Sequence, residues 1–325
     1  MTRNEIDVGV IGVGSMGQHH ARVYDELNDV NLVGIADADT KRANEVAKKH
    51  DTEVRETEDL LEDVDAVSVV VPTQYHYDVV TTCLDEHVAT FVEKPALGSL
   101  DRADDLLSKV ETADVPVQVG HIERFNPAVT TLRDIIDDLS VISVRARRLG
   151  PEPDRAIQDS AVIDLMIHDI DIVLSLFDET PTSIAGSGSR GGRHASALLE
   201  FEGDRMASLT ASRKTQRKVR TLEITTEECF IEVDYLDQSI EIHRNSVPEY
   251  IEKDGNVRFS HESIVERPVV QNGEPLQREL ESFIEAVKTE TSPEITVEDG
   301  LDALSVALEI EEKIGRNPVA TSIND

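Results

Sequence analysis

The stretch Ile6-Asp7-Val8-Gly9-Val10-Ile11-Gly12-Val13-Gly14-Ser15-Met16-Gly17 decides how this chain folds. Its first half is a short apolar run of the kind that forms a buried strand, and a helical stretch from Gln18 to Leu27 follows the last glycine. Between the two, Gly12, Gly14 and Gly17 have the Gly-x-Gly-x-x-Gly spacing. In such a turn the first glycine permits the tight bend, the second lets backbone approach a pyrophosphate, and the third allows close helix packing. The helix start then offers free N–H groups and partial positive charge to phosphates, with the backbone of Ser15 and Met16 beside them. A glycine-rich turn can also be purely structural, so its surroundings have to decide.

Strand Val30 to Ala36 ends on Asp37, twenty residues after Gly17. A carboxylate there accepts hydrogen bonds from the adenosine ribose and repels a 2′-phosphate, which favours NAD over NADP. Asp39 adds to the repulsion; Arg42, the one nearby basic residue, is expected on a solvated helix. Helices over 40–50, 57–61, 76–87 and 99–112 then alternate with strands over 66–71, 88–92 and 115–119, and a short segment lies near 52–55. This alternation predicts an α/β chain with a doubly wound parallel sheet, a Rossmann domain over residues 1–122.

Beyond residue 122 the pattern changes. Segments 141–148, 195–202, 205–212, 220–226, 229–235 and 238–244 are rich in β-branched residues and alternate apolar with polar, and Glu202-Gly203-Asp204 supplies one tight turn. They predict a second α/β domain over 123–325, for substrate and oligomerisation, built on an open, mainly antiparallel sheet. Helices over 161–176 and 276–290 are expected on one face of that sheet. A final helix near 297–314 is expected to pack back on the first domain, and the sheet is expected to join copies of the chain into a homo-oligomer.

With 65 acidic and 32 basic residues, the formal charge is −33, and Arg outnumbers Lys 22 to 10. At about 1 M salt the screening length falls to about 3 Å, so such a surface reads as halophilic. Acidic residues in every segment argue against nucleic acid or an anionic membrane as partner. No apolar run approaches the roughly 18–20 residues that cross a bilayer, and no secretory leader is evident, so a cytoplasmic place is expected. Cys83 and Cys229 stand far apart without a companion at metal-ligand spacing, which predicts buried, inert thiols and no metal.

About 75 residues past the glycine turn, Val92-Glu93-Lys94-Pro95 resembles the Glu-Lys-Pro motif of the Gfo/Idh/MocA oxidoreductase family. The resemblance extends to Pro72-Thr73 with His76, to Gly120-His121, to Asp164-Leu-Met-Ile-His168-Asp169 and to the final helix. It implies that His168 is the acid/base, that Lys94 orients and polarises the reacting hydroxyl, and that Asp164 binds a neighbouring hydroxyl or tunes His168. The chemistry agrees, since removing hydride from a secondary alcohol requires a group to take its proton, a task suited to histidine. A nearby ammonium stabilises the developing alkoxide. Asp164 and His168, four apart, share a face if the segment is an α-helix. Pro72, Thr73, His76, Glu93 and Lys94 are expected to line the NAD site with the glycines and Asp37. Asp169 and Asp171 read as structural, and His19 and His20 as serving the first helix.

The stretch Gly120-His121-Ile122-Glu123-Arg124-Phe125-Asn126-Pro127, with Arg148-Leu149-Gly150-Pro151, resembles a branch of that family acting on nucleotide sugars, such as UDP-N-acetylglucosamine 3-dehydrogenases. That branch implies a 3-keto product. Five positive charges, Arg213, Lys214, Arg217, Lys218 and Arg220, stand within eight residues. As an extended strand they would put Arg213 and Arg217 on one face, ready with Arg124 and Arg148 to hold a diphosphate. An inositol or free-sugar dehydrogenase remains the alternative, and a non-catalytic NAD-binding regulator a further one.

Overall fold

A computed structural model describes residues 5–152, 159–245, 249–253, 256–260 and 262–315. The chain divides into two compact units, Met1–Phe125 with Glu274–Ser305 and Asn126–Gly273 with Val306–Asp325. Both are discontinuous, where a reading along the sequence draws one cut after residue 122.

In the first unit, strands β1 (Ile6–Ile11), β2 (Val30–Ala36), β3 (Glu53–Val54), β4 (Ala66–Val69), β5 (Ala89–Glu93) and β6 (Val117–Gly120) form one sheet in the order β3-β2-β1-β4-β5-β6. Every pairing is parallel. Helices α1 (Gly17–Glu26), α2 (Thr40–Lys49), α3 (Thr57–Leu61), α4 (His76–Asp85) and α5 (Ala103–Ala113) make the connections. The strand order reverses between β1 and β4, and in open α/β sheets ligands bind outside the carboxyl ends of strands at such a point.

The helix expected over 276–290 forms as α8 (Pro275–Thr289) and belongs to the first unit. Leu276, Leu280, Phe283 and Ile284 join Val23, Tyr24 and Phe91 in the first unit's core, with the Phe91 and Phe283 rings edge to face at 5.8 Å. The spacing of its apolar residues announces a buried stripe without saying against what.

The second unit holds α6 (Pro127–Ile136), β7 (Val141–Leu149), α7 (Ile167–Phe177), β8 (Ser183–Ser189), β9 (His194–Phe201), β10 (Arg205–Ser212), β11 (Val219–Thr226), β12 (Phe230–Asp234), β13 (Ser239–Asn245), a hairpin of β14 (Glu249–Lys253) and β15 (Asn256–Ser260), and β16 (Ser263–Glu266). Its large sheet runs β16-β13-β12-β11-β7-β10-β9-β8, antiparallel except between β7 and β10. Leu222, Ile224, Ile231, Val233, Ile240 and Ile242 are buried on one face, whereas Arg145, Arg147 and Glu232 stand exposed on the other. Edge strand β8 (Ser-Ile-Ala-Gly-Ser-Gly-Ser) escapes a sequence reading because Gly and Ser are poor strand formers. Its glycines have a packing reason: a Cβ on Gly188 would come within 3.0 Å of Ile314.

Candidate active site

The first unit carries the glycine turn at the end of β1. Gly12 has φ +91°, and a Cβ there would stand 2.7 Å from the Val70 carbonyl oxygen. One on Gly17 would stand 1.9 Å from the Gly12 carbonyl oxygen, so neither position admits a side chain. At Gly14 nothing lies within 4 Å of that point, which leaves the backbone bare. Helix α1 starts with no acidic residue in its first turn and no side chain capping it. Gln18, His19 and His20 already donate to the Gly14 and Met16 carbonyl oxygens, so it is the glycine turn ahead of them that fits the pyrophosphate of a dinucleotide.

Asp37 is stitched into this turn. One carboxylate oxygen accepts the Val13 amide at 2.7 Å, and the other accepts the Asp39 amide at 2.7 Å. Arg42 is not simply solvated as expected: it donates from Nη2 to Oδ1 at 2.7 Å and from Nε to Oδ2 at 3.3 Å. Asp39 caps α2, accepting the Arg42 amide, so that helix starts with Arg42 turned toward Asp37. Burial pushes the Asp37 carboxyl up, but the Arg42 hydrogen bond and the two amides outweigh it and hold it below the ordinary value. A carboxylate has about four acceptor positions, and four donors occupy them. Arg42, about two-fifths exposed, is the one of these donors free to move.

At the end of β5, Glu93 is followed by Lys94, half-buried, and Pro95, joined by a cis peptide. Buried His76 is bracketed by two carbonyl oxygens, Pro95 at 2.9 Å from Nδ1 and Val71 at 2.9 Å from Nε2. A neutral imidazole donates to one of the two, and the ring sits between the Lys94-Pro95 turn and the chain leaving β4, beside exposed Pro72 and half-buried Thr73. Burial pushes its imidazole below the ordinary value, against the pull of those carbonyls. His20 does more than serve the first helix: fully buried, it reaches Glu93 at 3.1 Å.

The second unit holds the remaining candidates. Residues Val162–Met166 form a π-helical turn ahead of α7, so Asp164 and His168 are not on one regular α-helix as expected. Single π-turns recur at functional sites. Ser160 Oγ accepts the amides of Val162 and Ile163, both at 3.1 Å, and opens the segment. Arg213, nearly buried, donates from one nitrogen to the Asp159 carbonyl at 2.5 Å and from another to Asp164. The Asp164 carboxylate is thus held by a guanidinium, while its side chain and that of His168 keep partial exposure.

The basic island is not an extended strand. β10 stops at Ser212 and β11 starts at Val219, so Arg213 to Lys218 form a loop and Arg213 and Arg217 do not share a strand face. Lys214 pairs with Glu152, and Arg217 and Lys218 are exposed. Arg148 turns inward from β7 to Asp169, with Nη2 to Oδ1 at 2.7 Å and Nε to Oδ2 at 3.1 Å, both side chains 3% exposed. It serves as a buried strut between β7 and α7 and, so placed, has no open face for a phosphate, contrary to expectation. Arg124, in the first unit, is buried with Asp299 at 3.8 Å.

Both cysteines are buried and free, and burial pushes Cys83 up to about 12. Among the described residues Glu232, Glu241 and His243 bring three potential metal donors within 4.8 Å of one another. His243 already bonds Glu232, and Arg267 bonds Glu241. No helix among the described residues is long and apolar enough to cross a membrane.

Residues 6–121 match the family model described as an oxidoreductase family with an NAD-binding Rossmann fold, and residues 136–232 match the GFO/IDH/MocA C-terminal domain. The chain is 31% identical to UDP-N-acetylglucosamine 3-dehydrogenase of Acidithiobacillus ferrooxidans, over 72% of this chain and 76% of that protein. It is 27% identical to inositol 2-dehydrogenase of Rhizobium meliloti, over 92% and 94% of the two chains. A solved structure of the Acidithiobacillus enzyme superposes with a TM-score of 0.85 at 28% identity, covering 95% of this chain and 98% of that one.

Proposed function

Because the chain belongs to the Gfo/Idh/MocA family of NAD-binding oxidoreductases acting on CH–OH groups, we propose that it oxidises a ring hydroxyl of a nucleotide sugar, UDP-N-acetylglucosamine or a related UDP-sugar, to the 3-keto form. The observation that carries the choice of substrate is the likeness, over about three quarters of both chains, to an enzyme of that name. Gly12, Gly14, Ser15, Met16 and Gly17 would hold the NAD pyrophosphate and Asp37 the ribose, with Pro72, Thr73, His76, Glu93 and Lys94 toward the nicotinamide. NAD, when bound, supplies the hydride acceptor.

His168 takes the hydroxyl proton as the carbon is oxidised, and Lys94 stabilises the negative charge that builds on the oxygen. Asp164, fixed by Arg213, accepts a neighbouring hydroxyl. In this reading Arg213 positions a catalytic carboxylate instead of holding phosphate, and diphosphate recognition falls to exposed Arg217 and Lys218, while Arg124, buried beside Asp299, is left out of it. The chain also forms a homo-oligomer through the open face of its large sheet, testable by sedimentation.

Two results follow. Arg213→Ala is expected to lower kcat about tenfold, the worth of a charge-assisted hydrogen bond, and to add little to Asp164→Ala, because the two act as one unit. Replacing Arg217 and Lys218 by alanine is expected instead to raise KM for the best UDP-sugar about tenfold while KM for NAD stays put. The use of Arg148 and Arg213 inside the protein favours a second reading, oxidation of an uncharged inositol, which needs no phosphate clamp. A panel of UDP-sugars, free sugars and inositols with NAD in molar salt, followed by NADH absorbance, separates them. Turnover of inositol with none of any UDP-sugar would replace the first reading by the second.

Asp37→Ala is expected to lower kcat/KM for NAD by about 10- to 100-fold, since ribose loses a charged acceptor, and to raise it for NADP. The gain arises because Arg42, released from Asp37, can meet a 2′-phosphate. Steady-state kinetics with both cofactors decide this, and an unchanged ratio would show that Asp37 does not read the ribose.

A further inference from the structure

Four polar side chains are linked in a line within the first unit. Tyr24 Oη and Ser68 Oγ are 2.8 Å apart, Ser68 Oγ and His20 Nδ1 3.0 Å, and His20 Nε2 and Glu93 Oε1 3.1 Å. The other Glu93 oxygen accepts the Lys94 amide at 3.2 Å. Tyr24, Ser68 and His20 are fully buried, and the Phe91 ring stands 5.2 Å from the imidazole, edge on. Burying so many polar groups is costly unless each is bonded, and apolar side chains could fill the same space.

Proton positions along the line follow from its carboxylate end. Ionised Glu93 can only accept, so the neutral imidazole carries its proton on Nε2 and donates there, leaving Nδ1 to accept from Ser68 and the Ser68 oxygen to accept from Tyr24. Glu93 stays ionised: burial pushes its carboxyl up, but the His20 hydrogen bond, the Lys94 charge and the Lys94 amide bring it below the ordinary value. The line ends at Tyr24, with no exposure to solvent, so it is built to hold groups in place and not to conduct protons outward.

We propose that His20 is a positioning residue that, through Glu93, fixes the turn carrying Lys94. This rests on the role given to Lys94 above. His20 sits on α1, one turn past the glycine motif, so the helix that follows the proposed pyrophosphate turn also anchors the turn bearing the proposed catalytic ammonium.

The test uses substitutions that separate the two imidazole nitrogens. A glutamine amide can stand where Nε2 stands and donate to Glu93, whereas asparagine reproduces only the Nδ1 side. His20→Asn and His20→Ala are each expected to lower kcat about tenfold, and His20→Gln to restore most of it. Nitrogen-15 spectra of the wild-type protein without NAD, recorded where the ring is neutral, are expected to show the His20 proton on Nε2. Equal loss in the Gln and Asn variants, wild-type kcat in His20→Asn, or a proton on Nδ1 would overturn the proposal. Lys94→Ala is measured in parallel: if it is as active as wild type, the role of Lys94 falls and this inference with it. If Lys94→Ala is impaired while His20→Asn is not, only the positioning role falls.

Discussion

His168→Ala and Lys94→Ala are each expected to lower kcat by about 10²-fold or more, the usual scale for losing a general acid/base or a positioned charge, while NAD binding survives. In the proposed mechanism the hydroxyl proton leaves to His168 as hydride departs, and the variant loses that base. In the same mechanism the Lys94 variant leaves the charge building on the oxygen without its proposed counter-ion. The fold should tolerate both changes. α7 is held by Ile167, Ile170, Ile172 and Val173, none exposed to solvent, and His168 itself is only half-buried. Lys94 is half-buried at a turn whose neighbours, Pro95 and Ala96, stay in place. Turnover at the wild-type rate by either folded variant, with NAD affinity unchanged, would remove that residue from the mechanism.

Thermal stability is expected to rise steeply with salt, from low melting temperatures at ~0.1 M KCl to much higher ones at about 3 M, as the Debye length shrinks from about 10 Å to below 3 Å. The excess of 65 acidic over 32 basic residues leaves 33 negative charges uncompensated in the net balance. Many acids do pair, as in Arg22 with Glu26 at 2.8 Å and Arg147 with Glu223 at 2.9 Å. Such exposed pairs are worth only about 0–1 kcal/mol each and are themselves weakened by salt. Screening therefore removes more repulsion than attraction. Melts by circular dichroism across a KCl series check this, and a flat melting temperature would mean that the acidic surface is not a salt adaptation.

How much of this was legible from residues alone varies with the distance over which each feature is decided. The positive φ of Gly12 and the close approach of Gly17 to Gly12 are set within a few residues, and most strands of the two sheets follow from apolar runs or alternation along the chain, so a linear reading finds them, β8 and β16 excepted. Lys94, Asp164 and His168 are marked by the short motifs around them. Arg42 could have been found from its place in the first turn of the helix after Asp37, where it can fold back. The π-turn at Val162–Met166 has no signal in composition.

The sequence by itself determined the α/β class, the parallel order of elements through β6, the glycine cradle and the family, because each depends on spacing or on backbone preference. The tertiary structure decided where the long side chains end. Arg148 turned out to brace Asp169, Arg213 to hold Asp164, and His20 to reach Glu93 across 73 residues of chain. It also decided that α8 belongs to the first unit. A flexible or buried polar side chain takes whichever partner the packed backbone brings within hydrogen-bonding distance. That choice depends on contacts between segments far apart in sequence, which no local pattern encodes.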